Sequence, residues 1–176
     1  PALQAKKVPI ELSLAVHSDA GYNKDGKTTW GSLAICTTNF NDGMLNSGIS
    51  RMTSKDLAKA LLKNLVSDLR QQYGEFSERY LWDRNYSETR LPEVPAAIIE
   101  TLSHQSFPDM KIGQDPMGKF TIARSLYKTI LRYVCTNHGL PYVVQPLAPN
   151  NFSVEIDAQG TAHLSWSPQT DRSDPT

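Results

Sequence analysis

Ile98-Ile99-Glu100-Thr101-Leu102-Ser103-His104, taken with Leu14-Ala15-Val16-His17-Ser18-Asp19 far upstream, decides the fold. In each stretch an apolar run delivers one chemically capable side chain at its carboxyl end, Glu100 in one and His17 in the other. Open α/β sheets gather their sites at the carboxyl ends of strands. Both stretches therefore read as strands of one sheet, with His17 and Glu100 facing one cleft.

Outward from these stretches, Val8 to Val16 alternates with apolar residues at Val8, Ile10, Leu12, Leu14 and Val16, the period of a strand, with Pro9 confined to its start or to a sheet edge. Tyr22 to Lys27 is a turn-rich loop, and Gly31 to Thr37 reads as a second, buried strand expected beside the first. Asn39 to Arg51 has no period and is expected to be a loop. Thr53-Ser54-Lys55-Asp56 has the form of a capping box. Behind it Leu57, Leu61, Leu62, Leu65, Val66, Leu69 and Tyr73 recur at helical spacing until Gly74, with Lys55, Lys59, Lys63 and Arg70 left to water. Tyr80-Leu81-Trp82 reads as a short strand. A polar segment, Asp83 to Arg90, and two prolines then lead to Ala96-Ala97-Ile98-Ile99, a central strand that ends at Glu100. Ser106 to Met110 is expected to be a loop. Asp115-Pro116 is an N-cap with Pro at the first helical position. The helix it opens has Phe120, Ala123, Leu126, Tyr127, Ile130, Leu131 and Val134 as its inner stripe and ends near Gly139.

The composition changes at Leu140. Prolines 141, 146 and 149 punctuate an extended stretch, and Phe152 to Ile156 and Ala162 to Trp166 flank the turn Asp157-Ala158-Gln159-Gly160 as a β-hairpin. The hairpin resembles the opening of a fibronectin type III module, whose second strand carries an inward Trp; such a sandwich needs about seven strands. The expected organisation is residues 1–139 as the α/β domain, 140–150 as a Pro-rich linker and 151–176 as a truncated sandwich. Pro1 to Lys7 has no apolar core of the signal-peptide kind and reads as a cut inside a longer chain.

The totals exclude several classes. Eighteen Lys and Arg balance eighteen Asp and Glu over 176 residues, so no field draws the chain to nucleic acid. No apolar run approaches the ~20 residues of a membrane helix. Cys36 and Cys135 form neither a metal spacing nor a disulfide framework and read as buried apolar residues.

Ser13-Leu14-Ala15-Val16-His17-Ser18-Asp19-Ala20 resembles the "S-I-H-A-N-A" strand end of zinc-dependent N-acetylmuramoyl-L-alanine amidases, where the His is the last zinc ligand in sequence. Pro95-Ala96-Ala97-Ile98-Ile99-Glu100-Thr101-Leu102-Ser103 resembles the strand of the same family whose Glu is the catalytic carboxylate. The order of elements agrees over roughly residues 8 to 135. Asn41-Asp42-Gly43, Ser50-Arg51, Tyr86-Ser87-Glu88, Ser103-His104-Gln105 and Tyr127 to Tyr133 are similar to phrases of a Bacteroidetes envelope subgroup labelled xanthan-lyase or golvesin-related. The resemblance implies a three-layer α/β sheet flanked by helices, of which this chain is the carboxyl half, followed by the truncated β-sandwich hairpin.

What the resemblance implies for chemistry is specific. Zn2+ is held by His17 together with a His and a Glu that this sequence does not contain and that are expected upstream, since a catalytic zinc takes three protein ligands. Glu100 accepts the proton of the attacking water and passes it to the leaving L-alanine nitrogen, a role worth ~10²–10⁴-fold. Asp19 and His104 stand where the family has Asn, and with Arg90 they are assigned to substrate. On the residues alone, Tyr86, Glu88 and Arg90 form a polar cluster before the Glu strand that reads either as a solvated loop or as a site wall with Arg90 suited to a peptide carboxylate. The implied substrate is the amide between N-acetylmuramic acid and L-alanine in peptidoglycan. The implied setting is the periplasm, envelope or exterior of a bacterium, with the upstream half of the domain as partner and the fragment alone inactive.

Without the resemblance, His17 is equally a polar strand cap. Glu100 is equally a rim carboxylate, although burial at a strand end is costly for an unpaired charge. Two further readings stay open. One is a non-catalytic glycan-binding scaffold. The other is a polysaccharide lyase using Tyr86 or His104 as base and Arg90 to neutralise a uronic acid.

Overall fold

The structure, a computed structural model, describes Lys6 and residues 9–171. Val8, expected to open the first strand, lies outside the described residues. The chain divides into two compact units, the first ending at Pro141 and the second beginning at Tyr142.

The first unit is built from strands β1 (Ser13–Asp19), β2 (Ser32–Cys36), β3 (Glu78–Asp83) and β4 (Ala96–Ser103), with helices α1 (Met52–Tyr73), α2 (Ser87–Arg90), α3 (Phe107–Gln114) and α4 (Pro116–Asn137). The strands form one sheet in the order β1-β4-β2-β3. β1 runs parallel to β4, β2 runs antiparallel to β4, and β3 runs parallel to β2. The fold is α/β with a mixed sheet flanked by helices.

The expectation that β1 and β2 are neighbours is wrong, because β4 lies between them. β4 is buried at every position but Glu100, whereas β1 is half-buried to exposed throughout. The strand that can be covered on both faces takes the centre, and the other takes the edge. β1 also begins at Ser13, whose N–H donates to the Pro95 carbonyl at 2.9 Å, and runs on to Asp19. His17 and Glu100 thus lie inside their strands, two and three residues from the ends.

One face of the sheet, with Ala34, Cys36, Ala97 and Ile99, packs against Leu57, Leu61, Leu65 and Leu69 of α1 and Leu126 of α4. The opposite face holds a smaller cluster of Leu33, Ile35 and Ile98 with Ala15 and Trp82. Side chains alternate along a strand, so Ile98 and Glu100 share this second face. His17, paired with Glu100 in register, joins them.

The α1 stripe is buried as its spacing predicts, and Gly74 closes the helix with φ 82° and its N–H on the Arg70 carbonyl. The capping box does not form. Thr53 Oγ1 donates to the Ser50 carbonyl, while Ser54 Oγ accepts the N–H of Ala96 at 3.0 Å and so ties the helix start to the start of β4. α4 is rotated from its expected face: Phe120 and Tyr127 are exposed, and Gly118, Ser125, Leu126, Lys128 and Thr129 are buried. The seam explains the rotation. A Cβ on Gly118 would lie 2.0 Å from the Ile112 carbonyl oxygen, and polar pairs join the two long helices, Asn64 to Thr129 at 3.0 Å and Lys128 to Asp68 at 3.2 Å.

The stretch from Ser106 to Met110, expected as a loop, opens α3 instead. Its cause is Asp109, fully buried, which accepts the N–H groups of Trp30 (2.7 Å), Gly31 (3.0 Å) and Ser103 (2.9 Å) and the hydroxyl of Ser106 (2.8 Å). One carboxylate thereby fixes the entrance to β2, the exit of β4 and the first turn of α3.

The second unit is an antiparallel hairpin of β5 (Asn150–Ile156) and β6 (Ala162–Ser167), with Val154 opposite Leu164. Asp157 holds its turn by accepting the N–H groups of Gln159 and Thr161. Phe152, Val154, Ile156, Leu164 and Trp166 are all exposed. Among the described residues no helix is long and apolar enough to cross a membrane.

Candidate active site

β1 and β4 set the site. His17 and Glu100 are Cα partners on parallel strands, so their side chains leave the same face side by side. The His17 Nδ1 lies 3.7 Å from Glu100 Oε1, and its Nε2 lies 3.0 Å from Glu88 Oε1. With Nε2–H given to Glu88, Nδ1 turns its lone pair to Glu100 whenever the imidazole is neutral. A protonated Glu100 then suits the contact, and an ionised Glu100 suits an imidazolium.

The Glu100 side chain is 14% exposed, and its Oε2 is buried with no hydrogen-bond partner in the structure. Burial pushes its carboxyl above the usual range; the charge of His17 opposes this, Asp19 reinforces it, Arg79 opposes it and Glu88 reinforces it. An orphaned buried carboxylate oxygen is uncommon in a native fold.

Asp19 does not face the His17 ring. It pairs with Arg79 and accepts from Trp30 Nε1 at 3.4 Å. Burial raises the Asp19 carboxyl, but the Arg79 hydrogen bond, the Ala20 N–H and the Arg79 charge together hold it below its ordinary value. Arg79 is enclosed between the rings of Trp30 (4.5 Å) and Tyr80 (5.0 Å) and donates to Tyr80 Oη at 2.9 Å. Tyr80 and Trp82 stack at 4.7 Å on the same strand. Sequence reading missed Arg79, which lies outside every quoted phrase; Tyr80 and Trp82 just after it were the available signal.

The other expected residues fall elsewhere. His104 Nδ1 meets Ser18 Oγ at 3.2 Å, on the α4 side of the sheet and away from Glu100. Arg90, assigned to a substrate carboxylate, donates to Asn85 at 2.9 Å and lies over the Phe40 ring. Glu88, one residue of the same short helix, is the one that reaches the site. Its helix is held by Arg51, a buried guanidinium that donates to the carbonyls of Met44, Thr89 and Arg90.

Solved structures with this architecture are N-acetylmuramoyl-L-alanine amidases by name. The N-acetylmuramoyl-L-alanine amidase from Clostridium difficile 630 is similar with a TM-score of 0.56 and 19% identity, covering 76% of this chain and 62% of that one. The amidase AmiC2 of Nostoc punctiforme gives 0.55 and 14% identity, covering 74% and 62%. Ami1 from Mycobacterium smegmatis gives 0.57 and 16%, covering 77% and 59%. The chain has the amidase fold. It spans about three fifths of the length of the amidases it matches. A comparison with protein-family models finds no match, and neither does one with curated protein sequences.

Within this amidase fold, zinc does not fit the described residues by themselves. Among them no three His, Cys, Asp or Glu side chains are grouped to hold a metal ion. His17 is the single imidazole at the site, and its Nε2 is taken by Glu88. A catalytic zinc wants three protein ligands and an open position.

Proposed function

We propose that this chain carries the Glu100 side of a peptidoglycan amidase that hydrolyses the amide between N-acetylmuramic acid and L-alanine. The observation that carries this reading is the pair of His17 and Glu100 in register on parallel strands of an amidase fold, with Glu100 Oε2 buried and unpartnered. A carboxyl whose burial raises its pKa is suited to proton transfer near neutral pH. Glu100 would take a proton from the attacking water at Oε2 and release it to the departing amide nitrogen. His17 holds Glu100 from one side and Glu88 from the other, and the Asp19–Arg79 pair places a compensated charge beside them.

If zinc is used, His17 is the ligand this chain offers. The remaining ligands would come from polypeptide beyond the three fifths of the fold spanned here. The partners are then peptidoglycan and the segment that completes the domain, and the setting is the bacterial envelope or exterior. The chain by itself is inactive in this reading.

A second reading, a glycan-binding scaffold with no hydrolysis, is favoured by the contact of His17 Nε2 with Glu88, which closes the nitrogen a metal would need. Zinc stoichiometry separates the two. The measurement is made on this chain and on the full gene product, each beside His17→Ala, and is followed by release of peptide from peptidoglycan with Glu100→Ala. About one zinc in the full product alone, lost with His17→Ala, and peptide release lost with Glu100→Ala support the amidase. No peptide release by the full product supports the scaffold.

A further inference from the structure

We infer that the aromatic pair Tyr80 and Trp82 on β3 is a saccharide subsite, in which one sugar ring of a glycan strand lies against Trp82. The inference rests on the amidase reading for the kind of glycan and adds a place where it binds. Residues two apart in a strand share a face, and these two rings stack with centroids 4.7 Å apart and planes inclined by 32°. Trp82 packs on the cluster of Leu33, Ile35 and Ile98, which lies on the same face of the sheet as Glu100. β3 ends the sheet order, two strands from β4. The pair therefore stands roughly 10 Å across the sheet from the Glu100 strand, at about 4.8 Å for each strand crossed.

What the rings can hold follows from their chemistry and from the groups that cover them. An aromatic face is apolar and electron-rich. The C–H face of a pyranose ring, apolar and slightly positive, complements it. Tyr80 is 41% exposed and Trp82 half-buried. Beyond Tyr80 lies Arg79, which is tied to Asp19 and donates to the Tyr80 hydroxyl at 2.9 Å, so that side of the pair is closed. Over Trp82 lies Arg84, 5.3 Å from the ring centroid. Arg84 is exposed, and its guanidinium reaches the Asp83 carbonyl at a long 3.4 Å. It can leave the ring and donate to the hydroxyls of a sugar that takes its place. The Trp82 side of the pair is thus the side that opens to a ligand.

Charge selects the occupant. Glu78, Arg79, Asp83 and Arg84 give this edge two acids and two bases, a balance that suits an uncharged ring better than an anion or a cation. A nucleobase would also stack on Trp82, but it brings phosphates, and a chain with equal numbers of acidic and basic residues offers them no attracting field. A neutral, polyhydroxylated ring is what remains. In the amidase reading Glu100 acts on the amide that joins peptide to sugar, so the linked sugars run on past it. The roughly 10 Å across the sheet is about the length of two linked pyranose rings. Trp82 therefore seats a sugar beyond the one that bears the scissile amide.

The test titrates a soluble tetramer of N-acetylglucosamine into the chain and follows the indole N–H signals of its three tryptophans, Trp30, Trp82 and Trp166, by NMR. Trp82→Phe assigns the signal of interest, and calorimetry on the same samples gives the affinity. The Trp82 signal is expected to move saturably while that of Trp166 stays in place. Trp82→Ala is expected to weaken binding about tenfold, the loss of one stacked contact, and Trp82→Phe, which keeps a ring, to weaken it less. A stationary Trp82 signal, movement confined to Trp166, or unchanged affinity in Trp82→Ala overturns the inference. Should Trp82→Ala fail to fold, the indole signals of the parent chain decide by themselves. Neither measurement uses hydrolysis or zinc. Saturable movement at Trp82, in a protein whose full gene product releases no peptide, would sink the amidase reading and leave the subsite standing; peptide release with a stationary Trp82 would do the reverse.

Discussion

At the scale of the residue, Glu100 is the position where burial works against an ionisable group. Its Oε2 is buried without a partner and its carboxyl is pushed up chiefly by burial. The sign of the consequence follows from proton linkage. The folded state keeps this proton to higher pH than the unfolded state, whose Glu titrates near 4.3. Stability is therefore lost as pH rises from that value through the folded pKa, and the full penalty applies above it. Glu100→Gln removes the penalty. The variant is expected to unfold a few degrees higher than the parent chain at pH 7, with the difference closing below about pH 4. Paired thermal melts across that range check it, and a variant less stable at pH 7 would show that Glu100 is structurally satisfied. That Glu100 and His17 lie on strands of one sheet was legible because an apolar run leading to a lone ionisable group is a local pattern. The sequence could not locate the Arg79 or Glu88 contacts, which join residues 60 and 71 positions apart in the chain.

At the scale of the element, both long helices were visible in their apolar spacing, but the facing of α4 was not. Spacing reports where apolar residues recur, whereas the seam is set by Gly118 against the Ile112 carbonyl and by Asn64–Thr129 and Lys128–Asp68. α3 was missed for a similar reason. Its first turn is anchored by Asp109, whose carboxylate gathers N–H groups from Trp30, Gly31 and Ser103, segments far apart in sequence. Asp109→Asn puts an amide NH2 where one of those oxygens accepts, and so sets donor against donor in a buried place. The expected loss is about 1–3 kcal/mol, the cost of leaving a buried donor unsatisfied. A urea titration would show it as a lower midpoint with the slope unchanged. A loss below about 1 kcal/mol, an ordinary single hydrogen bond, would mean that Asp109 is one contact among many and does not tie the three elements together.

At the scale of the whole molecule, two units share one chain on different terms. The first buries a sheet between helices. The second is a two-stranded hairpin, an arrangement marginal in water unless its apolar face is covered. The alternation Phe152, Val154 and Ile156, with Leu164 and Trp166 opposite, was legible in the sequence because period-2 patterning needs no long-range information. The pattern leaves Phe152, Val154, Ile156, Leu164 and Trp166 exposed in the described residues. Trp166 reports on this directly. In the isolated chain its indole is exposed, so subtracting the fluorescence of a Trp166→Phe variant should leave a red-shifted component fully open to iodide quenching. In a longer protein that supplies further sandwich strands the same component should shift to the blue and resist the quencher. A blue, protected Trp166 in the isolated chain would mean that the hairpin covers its apolar face by association, and sedimentation would then show a dimer that Trp166→Ser dissolves.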